Sequence, residues 1–263
     1  MFQLTNVQFT MNDGYLQYLF DYWKYILRRD SDSGEIMNAL ELKIDREEVL
    51  RYLGHKGQKI DENMSEMIDQ CREEIRKIII PRAVYEYRNI QNTKEGIEVL
   101  DTNLMLTGND IMKHLRASKE CVLMAVTLGN EIEKKTRLYE KTNLTKALII
   151  DACATTAVEE ICDKIEDEIR KKAEKKGMKI TFRYSPGYGD LPLEIQNSFL
   201  RVLDANKKIG LTVSENNLLF PRKSVTAIIG IVNSNVKINT RNCENCNNYN
   251  NCSFRREGET CGA

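Results

Sequence analysis

A nearly continuous apolar run at residues 121–128 constrains the fold of this chain more than any other feature. Its letters are CVLMAVTL, with one threonine and no charged residue. A strand that is apolar at every position, rather than at alternate positions, is covered on both faces. The run is also short for a helix. We therefore expect a buried central strand, and with it a sheet that other elements cover.

Helical and strand patterns are mixed along the rest of the chain. Apolar residues recur at helical spacing over residues 61–80 and 143–175, and a further helix is predicted over residues 191–208. Strands are predicted at residues 83–90, 97–106, 178–184 and 224–232. The predicted fold class is therefore α+β, with a twisted, largely antiparallel sheet and flanking helices. The residues expected to face the core from the helix at 143–175 are Leu144, Ala147, Leu148, Ala154, Val158, Ile161, Ile165 and Ile169.

The charge balance argues against two classes of partner. The 263 residues include 39 acidic and 39 basic side chains, so no overall field attracts nucleic acid or an anionic membrane. No apolar run approaches the roughly 20 residues of a membrane-spanning helix. Residues 1–10 lack the basic start and apolar core of a signal peptide. We expect a cytoplasmic protein that binds neither nucleic acid nor membrane.

Residues 183–190, RYSPGYGD, combine a sharp turn with binding chemistry. Pro186 fixes φ and Gly187 permits positive φ, so the backbone turns and presents N–H and C=O groups. Arg183 enters the turn with a fork of donors that suits a carboxylate. Tyr188 leaves it with a flat ring and a hydroxyl. The pattern suits a site for a nucleoside that carries an amino acid; the alternative is an ordinary strand–turn–helix connector.

The same residues resemble a known family. Arg183, the Pro186-Gly187-Tyr188 turn, a helix, an Ile-Gly step and residues 221–225 (PRKSV) follow one another in this order. This order resembles the reactivation domain of cobalamin-dependent methionine synthase, over roughly residues 42–232. The chain is too short for the homocysteine, folate and cobalamin modules of a whole methionine synthase. The resemblance therefore implies a free-standing reactivation protein.

The resemblance also implies roles for individual residues. Arg183 would hold the carboxylate of S-adenosylmethionine (AdoMet), and backbone groups at Ser185, Pro186 and Gly187 would hold the rest of it. Tyr188 would lie beside the corrin ring of cobalamin. In the alignment, Glu159 takes the place of an acidic residue beside the AdoMet site. The alternative is that Glu159 and its neighbour Glu160 form a solvated pair.

The function implied is support of reductive methylation on a partner. In this family, cobalamin that has been oxidised to the inactive Co(II) state is rescued by one electron and the methyl group of AdoMet. The implied partners are a cobalamin-binding methionine synthase, or another corrinoid methyltransferase, and an electron donor. The chain would then be a component of methyltransferase activity rather than a complete enzyme. A third alternative is a non-catalytic binding module with a zinc-stabilised tail.

The eight cysteines fall into two groups. Four lie in apolar patterns and are expected in the core: Cys71, Cys121, Cys153 and Cys162. The other four crowd into an Asn-rich tail, and in a reducing compartment they predict a metal site: Cys243, Cys246, Cys252 and Cys261. All-thiolate ligation suits a 4Fe–4S cluster or tetrahedral zinc, and we favour the cluster because the partner chemistry needs an electron. The alternative is a loose tail with free thiols or an incidental disulfide. The resemblance to the family does not extend to this tail, so it gives no support for a metal site there.

These features divide the chain into three parts. Residues 1–41 form an N-terminal extension, residues 42–238 the AdoMet-binding domain, and residues 239–263 the metal-binding tail. Residues 15–29 of the extension predict an aromatic-rich amphipathic helix. Its apolar face is expected to pack on the body of the protein, or alternatively to dock a corrinoid protein.

Overall fold

The computed structural model describes residues 35–36 and 41–237. The strands of the main sheet are β1 (Glu35–Ile36), β2 (Arg82–Asn92), β3 (Ile97–Val99), β4 (Met105–Leu106), β5 (Glu120–Thr127), β6 (Met178–Ile180) and β9 (Ser224–Asn233), and a separate hairpin consists of β7 (Thr212–Val213) and β8 (Leu219–Phe220). In this part of the chain the main sheet has the strand order β4-β3-β2-β5-β9-β6, and β1 pairs with the start of β2. Every pairing is antiparallel.

Helices cover both faces of the sheet, which confirms the predicted fold class. The described helices are α1 (Arg46–Tyr52), α2 (Glu62–Ile78), α3 (Asn109–Leu115), α4 (Glu131–Thr142), α5 (Leu144–Glu174), α6 (Gln196–Val202) and α7 (Ala205–Ile209). On β5, Val122 and Met124 belong to the core shared with α1, α2 and α5. Leu123 belongs to the core shared with α3, α6 and α7. Full coverage explains why this strand is apolar at every position.

The long helix α5 packs closely against the sheet through small side chains. Ala154 and Ala157 are fully buried, and small residues let helix and sheet backbones approach. Ile161, Ile165 and Ile169 continue the buried stripe as predicted. The four cysteines predicted for the core, Cys71, Cys121, Cys153 and Cys162, are also fully buried.

Two predicted core residues of α5 are exposed instead. Leu144 is 64% and Leu148 58% exposed, so their assignment to the core was wrong. By helical spacing, Leu148 falls on the same stripe as Thr155 and Glu159, beside the buried face rather than within it. Within the described part of the chain Leu148 is exposed and Thr155 and Glu159 are half-buried. An apolar pattern alone does not tell a buried stripe from its flank.

The predicted single helix at 191–208 is broken into pieces. A 3-10 turn at Leu193–Ile195 leads into α6, and Asp204, with left-handed backbone at φ +49°, separates α6 from α7. Phe199 and Ile209 both pack into the same core. The break changes the direction of the chain, so that both short helices bury apolar residues in this core. One straight helix would not point both sets of apolar residues at the sheet.

Candidate functional site

The Pro-Gly turn has the geometry of a type II β-turn. The carbonyl of Ser185 accepts the N–H of Tyr188 at 3.0 Å, and Gly187 has φ +85°. The N–H of Gly187 is also used, because it donates to the carbonyl of Leu191 at 2.9 Å. Pro186 is buried, whereas Tyr188 is 39% exposed. The N–H of Gly187, which belongs to the predicted backbone site, and that of the adjoining Tyr188 are therefore engaged within the protein, and fewer N–H groups remain for a ligand.

Strand-like alternation directs Arg183 and Tyr184 to opposite faces of the sheet. Tyr184 forms a bridge with Ile228 of β9, with N–H···O distances of 2.9 and 2.8 Å. The Tyr184 ring packs into the core beneath α3 and α6. Because successive side chains of an extended segment point to opposite sides, the neighbouring Arg183 faces α5.

Three carboxylates of α5 surround the guanidinium of Arg183. Its Nη2 lies 2.7 Å from Asp163 Oδ1 and 3.2 Å from Glu159 Oε2, and its Nη1 lies 3.1 Å from Glu166 Oε2. Spacings of four and three residues place these acids on one face of the helix. The guanidinium that the sequence assigns to a ligand carboxylate is thus occupied by carboxylates of the protein itself. A ligand carboxylate would have to replace one of them.

Burial makes this cluster electrostatically demanding. The Arg183 side chain is only 8% exposed, and a buried charge requires close partners of opposite sign. The three carboxylates outnumber the one guanidinium, and Arg170 adds a second cation 2.6 Å from Glu166. Nη1 of Arg183 is buried and, within the described residues, makes no hydrogen bond, because Glu166 is close but not aligned. The cluster therefore holds surplus negative charge and one unsatisfied donor.

Glu159 and Glu160 do different things, so the solvated-pair alternative is wrong for Glu160. Its carboxylate accepts the backbone N–H groups of Lys43 and Ile44 at 3.0 and 2.9 Å. Glu159 instead turns towards Arg183. Tyr52 at the end of α1 packs against the core that α1 shares with α5. Burial, followed by the charge of the Glu159 carboxylate, raises the pKa of its hydroxyl.

A lysine borders the same exposed stripe of α5. Lys223 Nζ donates to Thr155 Oγ1 at 2.9 Å and pairs with Asp151 at 2.8 Å. Lys223 belongs to the PRKSV segment at the start of β9. Thr155 precedes Glu159 by four residues and so lies one helical turn away. The stripe thus runs between Lys223 at one end and Arg183 at the other.

The opposite face of the turn carries an aromatic cluster. The Tyr184 ring lies 5.2 Å from that of Tyr188 and 5.1 Å from that of His114. The Tyr184 hydroxyl is buried, and in the described residues it makes no hydrogen bond. Burial, followed by the charges of Asp110 and Asp190, raises the pKa of Tyr184 to about 12. The ring is therefore a neutral support for the turn.

His114 and Asp190 fix this side of the turn. Burial lowers the pKa of His114 to about 4, so the ring is neutral, and its Nε2 lies 3.0 Å from the carbonyl of Phe182, placed to donate to it. Asp190 accepts the backbone N–H groups of Asn109 and Asp110 at 2.6 and 3.0 Å. It thereby caps α3, because the N-cap residue of that helix, Gly108, has no side chain to do so.

The structure brings together residues that the sequence assigned to one site from separate parts of the chain. Arg183, Glu159 and the turn are adjacent. Sequence reasoning missed Asp163 and Glu166, although their helical spacing from Glu159 could have indicated them. It also missed Tyr52 as a neighbour, because nothing in the sequence pairs α1 with Glu159.

The metal prediction lies outside the described residues. Cys243, Cys246, Cys252 and Cys261 belong to the part of the chain after residue 237, as residues 15–29 belong to the part before residue 35. Between residues 41 and 237 no group of three or more His, Cys, Asp or Glu is arranged to hold a metal ion. In the same range, none of the helices is both long and apolar enough to cross a membrane.

The fold is similar to that of a solved structure. The crystal structure of the MetH reactivation domain bound to AdoHcy (S-adenosylhomocysteine) matches with a TM-score of 0.59, over 79% of this chain and 80% of that chain. The sequences are 12% identical over the match, so the likeness shows a shared fold. A scan against models of protein families gives no match, and neither does a search of curated proteins.

Proposed function

We propose that this protein binds AdoMet and supports reductive methylation of cobalamin held by a separate methionine synthase. The fold is that of a reactivation domain, as the resemblance of residues 183–190 implies. The observation that carries the proposal is the shared fold. In this chain the turn after Arg183 and the helix that carries Glu159 are adjacent, and the two side chains lie 3.2 Å apart.

The amino-acid end of AdoMet suits this cluster. Its carboxylate matches the guanidinium fork of Arg183, and its ammonium group matches the surplus of carboxylates, among them Glu159. The ammonium and sulfonium charges of the ligand would offset that surplus. Carbonyl groups of Ser185 to Gly187 would accept further hydrogen bonds, since a carbonyl oxygen can accept two.

The protein would act on the reaction by orientation. Holding the sulfonium methyl at a fixed position lowers the entropic part of the barrier to its transfer. Tyr188 is exposed next to the turn and would face the corrin ring of the partner. The partner's cobalamin supplies the cobalt that receives the methyl group, an external donor supplies one electron, and AdoHcy leaves.

Calorimetry with AdoHcy and AdoMet on the full chain tests the proposal. Arg183→Lys keeps the charge but loses the fork, and loss of one charge-assisted pair of hydrogen bonds is expected to weaken binding about 10- to 100-fold. Arg88→Lys is the matched control, because Arg88 also pairs with a carboxylate, Glu86, but lies on β2, three strands from β6. Absence of binding to the wild type, or equal binding by Arg183→Lys, would contradict the proposal.

The tail remains a separate proposal: it binds a metal, and a 4Fe–4S cluster there passes the electron. The four clustered thiols at Cys243, Cys246, Cys252 and Cys261 support metal binding. Iron and zinc analysis of the full chain, purified without oxygen, tests it. Stoichiometric iron with inorganic sulfide would support the cluster, whereas zinc without iron would exclude electron transfer by the tail and favour a structural role.

A further inference from the structure

We infer that Asp163 occupies, in the unliganded protein, the place on Arg183 that the ligand's carboxylate takes, so that binding exchanges one carboxylate for another. This inference rests on the proposed function. It assigns Asp163 a role that neither the turn motif nor the shared fold indicates: an internal competitor that sets affinity for carboxylate-bearing ligands.

The guanidinium has no room for a fourth carboxylate. Its side chain is 8% exposed, and its Nη2 already contacts both Asp163 and Glu159. At the same time Nη1 is buried and, among the described residues, lacks a hydrogen-bond partner. A carboxylate that bound Nη1 and Nη2 together would give Nη1 the hydrogen bond that the internal partners do not supply. Buried donors without partners cost free energy, so such an exchange improves the state of Arg183.

Asp163 is the partner that leaves most easily. The Asp163 side chain is 59% exposed, against 16% for Glu166. Its carboxylate is already largely hydrated, so it can leave Arg183 for water at a small cost in free energy. Glu166 is also held by Arg170 at 2.6 Å. Asp163 nevertheless makes the shortest of the three contacts, at 2.7 Å to Nη2. It is thus close enough to block that nitrogen and exposed enough to release it.

Glu166 and Glu159 would stay in place when Asp163 leaves. Glu166 is largely buried between Arg170 and Arg183 and would keep the Arg183 guanidinium oriented. Glu159 lies 3.2 Å from Nη2 and would remain beside the ligand's ammonium group. The exchange therefore conserves the number of carboxylates around Arg183 and brings in the positive charges of the ligand.

The test compares Asp163→Asn with wild-type full chain, using two probes. AdoHcy carries the amino-acid carboxylate, whereas 5′-methylthioadenosine is a similar nucleoside thioether without it. Asp163→Asn removes an ion pair whose carboxylate side is largely exposed, so we expect the variant to bind AdoHcy about 2- to 5-fold more tightly than wild type. Its affinity for 5′-methylthioadenosine is expected to stay unchanged, because that compound does not compete for Arg183.

Asp167→Asn is the control for a general change of charge. Asp167 is similarly exposed on the same helix, but it pairs with Arg170 rather than Arg183, so neither affinity is expected to change. The inference is overturned if Asp163→Asn binds AdoHcy no more tightly than wild type, or if Asp167→Asn gives the same gain. Wild type that binds neither probe would overturn the proposed function and this inference with it.

Discussion

Gly189 supports the Pro-Gly turn, and its replacement by alanine is expected to destabilise the protein by about 2–5 kcal/mol. The backbone of Gly189 is left-handed at φ +57°, which costs a residue with a Cβ roughly 1–2 kcal/mol. The new Cβ would also collide with the Tyr184 hydroxyl and lie 2.9 Å from Asp110 Oδ2. Tyr184 is only 4% exposed, so it cannot move without repacking, at a further cost of about 1–3 kcal/mol.

Gly177→Ala separates these two contributions. Gly177 has nearly the same backbone, φ +68°, but no atom lies within 4 Å of the Cβ position. It should therefore show the conformational cost alone, about 1–2 kcal/mol. Urea denaturation followed by far-ultraviolet circular dichroism gives both free energies of unfolding. Equal losses in the two variants would refute the argument that Tyr184 and Gly189 are in tight contact.

Three further predictions concern stability. Asp190→Ala removes the cap of α3 and should lower the free energy of unfolding, measured by thermal denaturation, by about 1–2 kcal/mol. An unchanged stability would show that α3 needs no cap. Leu148→Ala should cost less than about 0.5 kcal/mol because the side chain is exposed, whereas Ile150→Ala, at a fully buried position, should cost about 2–5 kcal/mol. Similar costs would contradict the burial pattern of α5. In the unfolded chain the His114 ring binds a proton as the pH falls through about 6.5. In the folded protein burial keeps the pKa of the same ring at about 4, so the ring stays neutral down to that pH. Stability should therefore fall by up to about 3 kcal/mol over that range, and the fall should be absent in His114→Gln; an unchanged pH dependence in the variant would refute this.

Local patterns predict the elements of this fold well because burial here follows periodicity. The run at 121–128 has no polar face and becomes β5, buried on both sides. Asp61, predicted as part of a helix, accepts the N–H of Met64 and caps α2. The break at Asp204 is not predictable in the same way, since it depends on how α6 and α7 fit the sheet.

The sequence indicates candidate residues for the site but not the contacts that they make. Alternation along an extended segment indicates that Arg183 and Tyr184 face opposite ways, but not which helix lies opposite Arg183. That depends on the position of α5 over β9, a tertiary feature. Asp163 and Glu166 therefore look like ordinary solvated helix residues until α5 is placed over the turn. Leu144 and Leu148 show the converse error, an apolar stripe that the described fold leaves exposed.

A structure of the full chain with AdoHcy bound tests the central claim most directly. We expect the ligand carboxylate about 2.8 Å from the guanidinium of Arg183, with Glu159 beside the ammonium group and Asp163 turned towards solvent. AdoHcy bound elsewhere, with Arg183 still held by the same three carboxylates, would contradict the account.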